Sequence, residues 1–306
     1  MKTILLFSLF LSFQAWSQDY VKVGGENEFY RDFTREEFET KLGENKALLP
    51  HYACNGINEF NPFYEPVRTN EKGDSLRIKA YQSEELIVYR EGKYFDLSGN
   101  EITEITDKYY KHLVKALSQF EKLESTKKLL RLLEHSHFNL TITLGRNSFV
   151  PTVEGGDRNY GIYQANAIHY IERGRMPEQE ERIVFQDIGV GGFIQWHPNI
   201  IVTTIEQDNV RRELNPQVAL AHEMFHAFDS IRGLLDMRSI NGIGYEPQLG
   251  SEYRAVYFEN MVRKELGILY RKYYGHTDEK EEFQDFSQPG VLDSNNEPYL
   301  IQAPCL

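Results

Sequence analysis

The sequence predicts an α+β fold in which a twisted sheet packs on one helix. Short alternating or apolar runs bounded by Gly, Asn and Ser mark strands within residues 86–97, 138–144 and 193–204. Apolar residues at helical spacing mark helices over 105–123 and from Ser125 onward. Two further helices follow, from Asn215 to Gly233 and from Gly250 to Gly267, and the first carries small Ala221 and Ala227 and apolar Met224, Phe225 and Phe228, as expected of a buried helix.

The chain has 306 residues, 41% of them hydrophobic, enough for one large domain or one domain with a smaller appended region. Acidic residues outnumber basic ones, 46 to 34, for a net charge of −12. Nucleic acids and anionic membrane surfaces demand clustered Lys and Arg, so neither is an expected partner. With only two cysteines, a disulfide-dense scaffold is excluded.

Met1-Lys2-Thr3, the apolar run Ile4 to Phe13, and the small residues Ala15 and Ser17 have the form of a secretory signal peptide over 1–17. The run is too short to span a bilayer, and no second stretch of spanning length follows, so no membrane span is expected in the mature chain. The mature chain is expected to start near Gln18 and to be periplasmic or secreted. In an oxidising compartment Cys54 and Cys305 either pair or remain thiols; pairing would stabilise the fold by about 5 kcal/mol in the chain-entropy model.

Residues 18–85 are polar, acidic and punctuated by Gly24, Gly25, Pro50, Pro62, Pro66 and Gly73, and read as an N-terminal extension of short strands and loops. The main domain is expected over 86–275, with a C-terminal tail over 276–306. It opens with a hairpin: Leu86-Ile87-Val88-Tyr89, a turn at Glu91-Gly92, then Lys93-Tyr94-Phe95. Tyr109, Leu113, Leu117 and Phe120 share one face of the 105–123 helix. Ser125 is the expected cap of the next helix, which carries Leu129, Leu130, Leu132 and Leu133. Phe138 to Leu144 alternates as a strand. Residues 145–190 hold many turn signals and one candidate strand at Ile183-Val184-Phe185. After Gly191-Gly192, Phe193 to Trp196 and Ile200 to Thr204 form one strand or a bent pair, with Pro198 as the break.

Asn215 is a good helix cap and Pro216 fits the first helical position. His222 and His226, four apart, then lie one turn apart on one face and can share a zinc ion. Glu223 follows the first histidine, placed to take a proton from water and hand it to a leaving amine. This is the H-E-x-x-H pattern of zinc peptidases. A third ligand is expected from Glu252, in the first turn of the next helix, which Ser251 is expected to cap; Glu259 is the competing choice. Glu259 and Arg263 can pair one turn apart and support the ligands from behind. Of the remaining histidines, His135 and His137 read as structural, while His197 beside Trp196 is a candidate cleft contact. The sequence holds neither a phosphate-cradling Gly-rich loop followed by Lys-Ser/Thr nor a serine nucleophile elbow.

The run His222-Glu223-Met224-Phe225-His226-Ala227, followed by Glu252-x-Arg254-Ala255-Val256 and Glu259-Asn260-x-x-Arg263-x-Glu265-Leu266-Gly267, resembles the NleD-like bacterial effector zinc peptidases. These are type III effectors and related toxin domains, more distantly similar to clostridial neurotoxin light chains. The resemblance covers about residues 88–275. It implies a zincin-like α+β fold, one zinc ion per chain held by His222, His226 and Glu252, Glu223 as general base, and a peptide or protein substrate. It further implies that Arg271 and Tyr274 face the scissile carbonyl, with Tyr273 as the neighbouring alternative. The leader departs from effectors injected directly from the cytoplasm, so the family's host-kinase substrates are not carried over. A rival expectation is a secreted toxin-like or interaction module whose zinc is structural; an open metal position beside Glu223 argues for the enzyme.

Overall fold

The computed structural model of the chain describes residues 20–21, 33–34, 70–79, 85–152, 158–167, 189–237, 249–274 and 290–299. The expected leader over 1–17, Cys54, Cys305 and the candidate strand Ile183-Val184-Phe185 lie outside the described residues.

Strands β1 (Tyr20–Val21) and β2 (Phe33–Thr34) form a small antiparallel pair of their own. The main sheet is built from β3 (Leu76–Lys79), β4 (Leu86–Arg90), β5 (Lys93–Phe95), β6 (Leu140–Leu144), β7 (Ser148–Pro151) and β8 (Gly192–Trp196). Its order is β5-β4-β3-β6-β8-β7. The middle strands β3, β6 and β8 are parallel, with Ile78, Ile142 and Ile194 in register; β4, β5 and β7 run antiparallel to their neighbours. The α+β class is therefore borne out, as a mixed six-stranded sheet with helices. Strand β3 lies within the span read from sequence as an extension: Leu76 and Ile78 alternate with Arg77 and Lys79, and its apolar side is buried in this sheet.

The helices are α1 (Lys108–Phe120), α2 (Glu124–Glu134), α3 (Arg158–Ala165), α4 (Pro216–Ser230) and α5 (Gly250–Leu266). Asp107 caps α1, accepting from Tyr110 N–H at 3.0 Å. Ser125 does not cap α2. It sits buried in the first turn, and its own N–H donates at 3.0 Å to the Glu265 carboxylate of α5, so a second helix supplies the acceptor that a local side chain was expected to give. The 193–204 segment resolves into β8 and β9 (Thr203–Ile205), which leaves the sheet after Pro198 to pair with β10 (Arg211–Glu213).

Helix α4 is the centre of the described core. Every residue from Val218 to Ser230 is buried, and the helix packs on α2, α5, β7 and β8. One face of the sheet, with Leu76, Ile78, Leu140, Ile142, Ile194 and Trp196, joins the same core. Because the helix is enclosed on all sides, its polar side chains His222, Glu223, His226 and Asp229 are buried along with its apolar ones. No helix among the described residues is long and apolar enough to cross a membrane.

Candidate active site

Helix α4 begins as its sequence dictates. Asn215 Oδ1 accepts from Gln217 N–H at 2.9 Å, and Pro216 occupies the first helical position. Helical geometry then brings His222 and His226 together, with ring centroids 4.8 Å apart. Their Nε2 atoms are 3.1 Å apart, and Glu252 Oε2 of α5 lies 3.2 Å from the first and 3.3 Å from the second. Three donors of a tetrahedral metal ion at about 2.0–2.1 Å are about 3.3 Å from one another. Two imidazole nitrogens and one carboxylate oxygen thus stand at three corners of such a tetrahedron. Among the described residues this is the group able to hold a metal ion.

Glu259 takes the other side of His222. Its Oε2 lies 3.4 Å from His222 Nδ1. Arg263 Nε donates to Oε1 at 2.9 Å, and Arg271 Nη1 donates to Oε2 at 2.9 Å. Burial works against the charge, but the two guanidiniums, Arg271 first, hold this carboxyl well below the usual carboxylate range. Glu259 therefore lies behind His222, and the carboxylate that converges with the two histidines belongs to Glu252. Burial disfavours a charged His222, yet hydrogen bonds to Glu252 and Glu259 outweigh it and push its pKa up to about 10. Burial likewise opposes ionisation of Glu252, and the two histidines, His226 foremost, reverse the effect and hold it as a carboxylate. Glu223 is buried at 7% exposure on the same helix, and burial pushes its pKa up.

The helix carrying Glu252 is pinned by its own start. A Cβ on Gly250 would lie 2.4 Å from Asp236 Oδ2, so a larger residue there would have to displace the Asp236 side chain. Ser251, expected as the cap, instead lies within the helix, and its N–H donates to Asp236 O at 2.7 Å. The far end closes as expected on Gly267, with φ 69°.

Arg271 and Tyr274 both line a cleft of about 290 Å³ with His222, Glu223, His226 and Glu252. Arg271 is nearly wholly buried. Its guanidinium donates to Glu259 and to the carbonyls of Tyr273 (2.9 Å) and Tyr274. Its backbone is held by Asn260 through hydrogen bonds of 2.7 and 3.0 Å. The Tyr274 phenol hydrogen-bonds Glu252, and burial first, then Glu252, raise its pKa so that it keeps its proton. Tyr273 lies outside the cleft lining, its ring 5.6 Å from Lys272 Nζ. His197 N–H donates to Asn147 Oδ1 and its ring accepts from Asn199 N–H, both at 3.1 Å, so its ring serves its own loop. His135 Nδ1 meets Asn70 O at 2.9 Å, a structural contact.

The edge strand β7 borders the cleft through Ser148, Phe149 and Pro151. Its register pairs Ser148 with Gln195 and Val150 with Phe193, and Thr152 N–H continues the pattern onto Gly191 O at 3.1 Å. Alternation then directs the N–H and C=O of Phe149 away from β8. Sequence reasoning missed β7, and it missed the buried pair of Asp229 with Arg254; a lone Asp within the apolar α4 run was the available signal for the latter.

Residues 98–274 match the family model of the M91 peptidases, described as effector protein. The chain belongs to this M91 peptidase family. Searches of the curated proteins and of the solved structures return no match. The matched span holds His222, Glu223, His226, Glu252, Arg271 and Tyr274, so the convergent donors and the cleft lie within the M91 region. Strands β3, β4 and β5 precede it, and half of the main sheet is contributed from outside the match. Membership of a peptidase family makes a protein or peptide the substrate.

Proposed function

We propose that this M91 peptidase is an exported, zinc-dependent endopeptidase with a zincin-like arrangement of sheet and active-site helix. The observation that carries the reading is the triangle of His222 Nε2, His226 Nε2 and Glu252 Oε2, with sides of 3.1–3.3 Å, opening on a cleft beside Glu223. Among the described residues three such donors converge and no fourth joins them, the arrangement of a catalytic rather than a structural zinc site. A zinc ion held there would supply Lewis-acid polarisation of the peptide carbonyl and acidify water at neutral pH.

The chain's own residues do the rest. Glu223, whose proton affinity burial raises, accepts a proton from the attacking water and returns it to the leaving amine. Tyr274 keeps its phenolic proton and offers a donor at the cleft, fit to stabilise an oxyanion as the carbonyl is attacked. Arg271 has its donors on Glu259 and on the carbonyls of Tyr273 and Tyr274, so we assign it to holding that loop rather than to touching substrate. The outward N–H and C=O of Phe149 suit an extended peptide added to the edge of β7. Export rests on the leader read in residues 1–17.

The test is the purified mature chain beside Glu223→Gln. Both are expected to bind about one zinc per chain, and only the wild type to cleave a peptide library. Wild-type-like cleavage by Glu223→Gln would overturn the mechanism. Loss of zinc from neither His222→Ala nor Glu252→Ala would overturn the ligand set.

A further inference from the structure

The segment leaving the C-terminal end of α4 forms a wall of the cleft through Leu235 and Met237. Two backbone hydrogen bonds fix it. Leu235 N–H donates to Ala165 O at the end of α3, at 2.8 Å, and Asp236 O accepts from Ser251 N–H in α5, at 2.7 Å. Ser251 precedes Glu252, so the wall is registered directly to the third donor of the metal triangle. Leu235 is buried, and Phe149 of β7 and Met237 pack with it in one cluster. Ile162 of α3 and Leu249, before the first turn of α5, complete this lining.

All five side chains are uncharged and apolar. The His, Glu and Arg side chains among the described lining residues, His222, Glu223, His226, Glu252 and Arg271, belong to the metal side, and Arg271 is already committed to Glu259 and backbone carbonyls. A charged substrate side chain entering here would shed water and meet no partner on the wall. An acidic one would also face Glu223 and Glu252. An aliphatic or aromatic one would exchange water for apolar contact. Because β7, α3, α5 and the segment after α4 each hold part of the wall, it is formed before substrate arrives and can discriminate.

We propose that Phe149, Ile162, Leu235, Met237 and Leu249 form the pocket that selects the substrate, taking an aliphatic or aromatic side chain next to the scissile bond, and that Met237 sets its depth. The inference rests on the peptidase reading above. Met237 is only partly buried, so trimming it opens the pocket without emptying the core.

The experiment incubates the zinc-loaded full chain with peptides randomised around the cut and reads the products by mass spectrometry. One position flanking the cut is expected to favour Leu, Ile, Met or Phe over Asp, Glu and Lys by at least about ten-fold. Met237→Ala is expected to raise the ratio of Phe- to Val-containing products by roughly ten-fold, while Met237→Leu keeps the wild-type ratio. Zinc-loaded Glu223→Gln, titrated calorimetrically with the best apolar peptide and its Asp counterpart, is expected to bind the first more tightly. Cleavage with no apolar preference at either flanking position would overturn this inference and leave the peptidase reading standing. An unchanged ratio in Met237→Ala would overturn the role of Met237. Cleavage of no peptide by the zinc-loaded chain would overturn the peptidase reading and this inference with it.

Discussion

Arg254 of α5 grips Asp229 of α4 through two parallel hydrogen bonds, Nε to Oδ2 at 2.7 Å and Nη2 to Oδ1 at 2.8 Å. Asp229 is fully buried and lies one turn beyond His226; Arg254 follows Glu252 by two residues. The fork therefore ties the helix bearing two donors to the helix bearing the third, next to all of them. Bidentate guanidinium–carboxylate pairs fix orientation as well as distance. Truncation to Asp229→Ala takes the carboxylate of the fork away from a buried cation and should cost roughly 3–5 kcal/mol of folding stability. Arg254→Lys keeps the charge but loses the fork, so zinc affinity should fall further than stability does. Denaturant unfolding and competitive zinc titration on the two variants check this. Unchanged affinity in both would show that the fork does not position Glu252.

Glu259 should matter to the metal without touching it. It stands between Arg263, Arg271 and His222, and removing its charge frees the His222 ring and leaves two buried guanidiniums less compensated. Groups that orient a metal-binding histidine typically carry 10–100-fold in affinity. Glu259→Gln, nearly isosteric, is expected to weaken zinc binding by about that factor. An affinity equal to wild type would reduce Glu259 to a structural salt-bridge partner.

Much of this site is local in sequence and was legible there. Asn215-Pro216, the four-residue spacing of the histidines and the stop at Gly267 each act within one helix, and each stands where expected. The hairpin β4–β5 was legible for the same reason. Features set by distant partners were not. Ser125 and Ser251 are capping residues by type, but Glu265 and Asp236 O take up their N–H groups. Strand β7, which contains Pro151, lies in the 145–190 stretch whose turn signals hid it. In the sheet Pro151 sits opposite Gly192 at a non-hydrogen-bonded position on an edge, where a missing N–H costs nothing. Helix α3 carries no amphipathic signal, and its Gly161 is required because a Cβ would come within 2.7 Å of Pro151 O.

The fold carries a pH dependence away from the cleft. Glu134 is fully buried at the end of α2, accepting from Glu91 N–H at 3.1 Å and from Arg131 at 2.5 Å. Burial pushes its pKa up from 4.5 to about 7, more than Arg131 pulls it down. Between those values the folded chain holds a proton that the unfolded chain has released. Stability therefore falls as pH rises through this window, and the deficit is complete above about 7. The shift corresponds to at most about 3 kcal/mol. Glu134→Gln is neutral at every pH, and Arg131 keeps Glu121 as a partner at 2.6 Å. The variant should lose less stability than wild type between about pH 5 and about pH 8, measured by urea unfolding. Equal losses would place the pH dependence elsewhere.

Tyr274 and Arg271 separate by what their removal should do. The Tyr274 hydroxyl is the one proton-bearing phenol among the described cleft residues, and it rests on Glu252. Tyr274→Phe keeps the ring beside Tyr253, with centroids 5.8 Å apart, and deletes only the hydroxyl. If that hydroxyl moves to the developing oxyanion, the variant loses a donor used only in the transition state: kcat should fall by roughly 10–1000-fold with KM and zinc content little changed. Arg271→Lys instead breaks the contacts to Glu259, Tyr273 and Tyr274 together. It should weaken zinc binding and stability as well as turnover, because a lysine cannot reproduce the fork. A Tyr274→Phe variant with wild-type kcat would remove the phenol from the chemistry and leave it as a hydrogen bond that steadies Glu252.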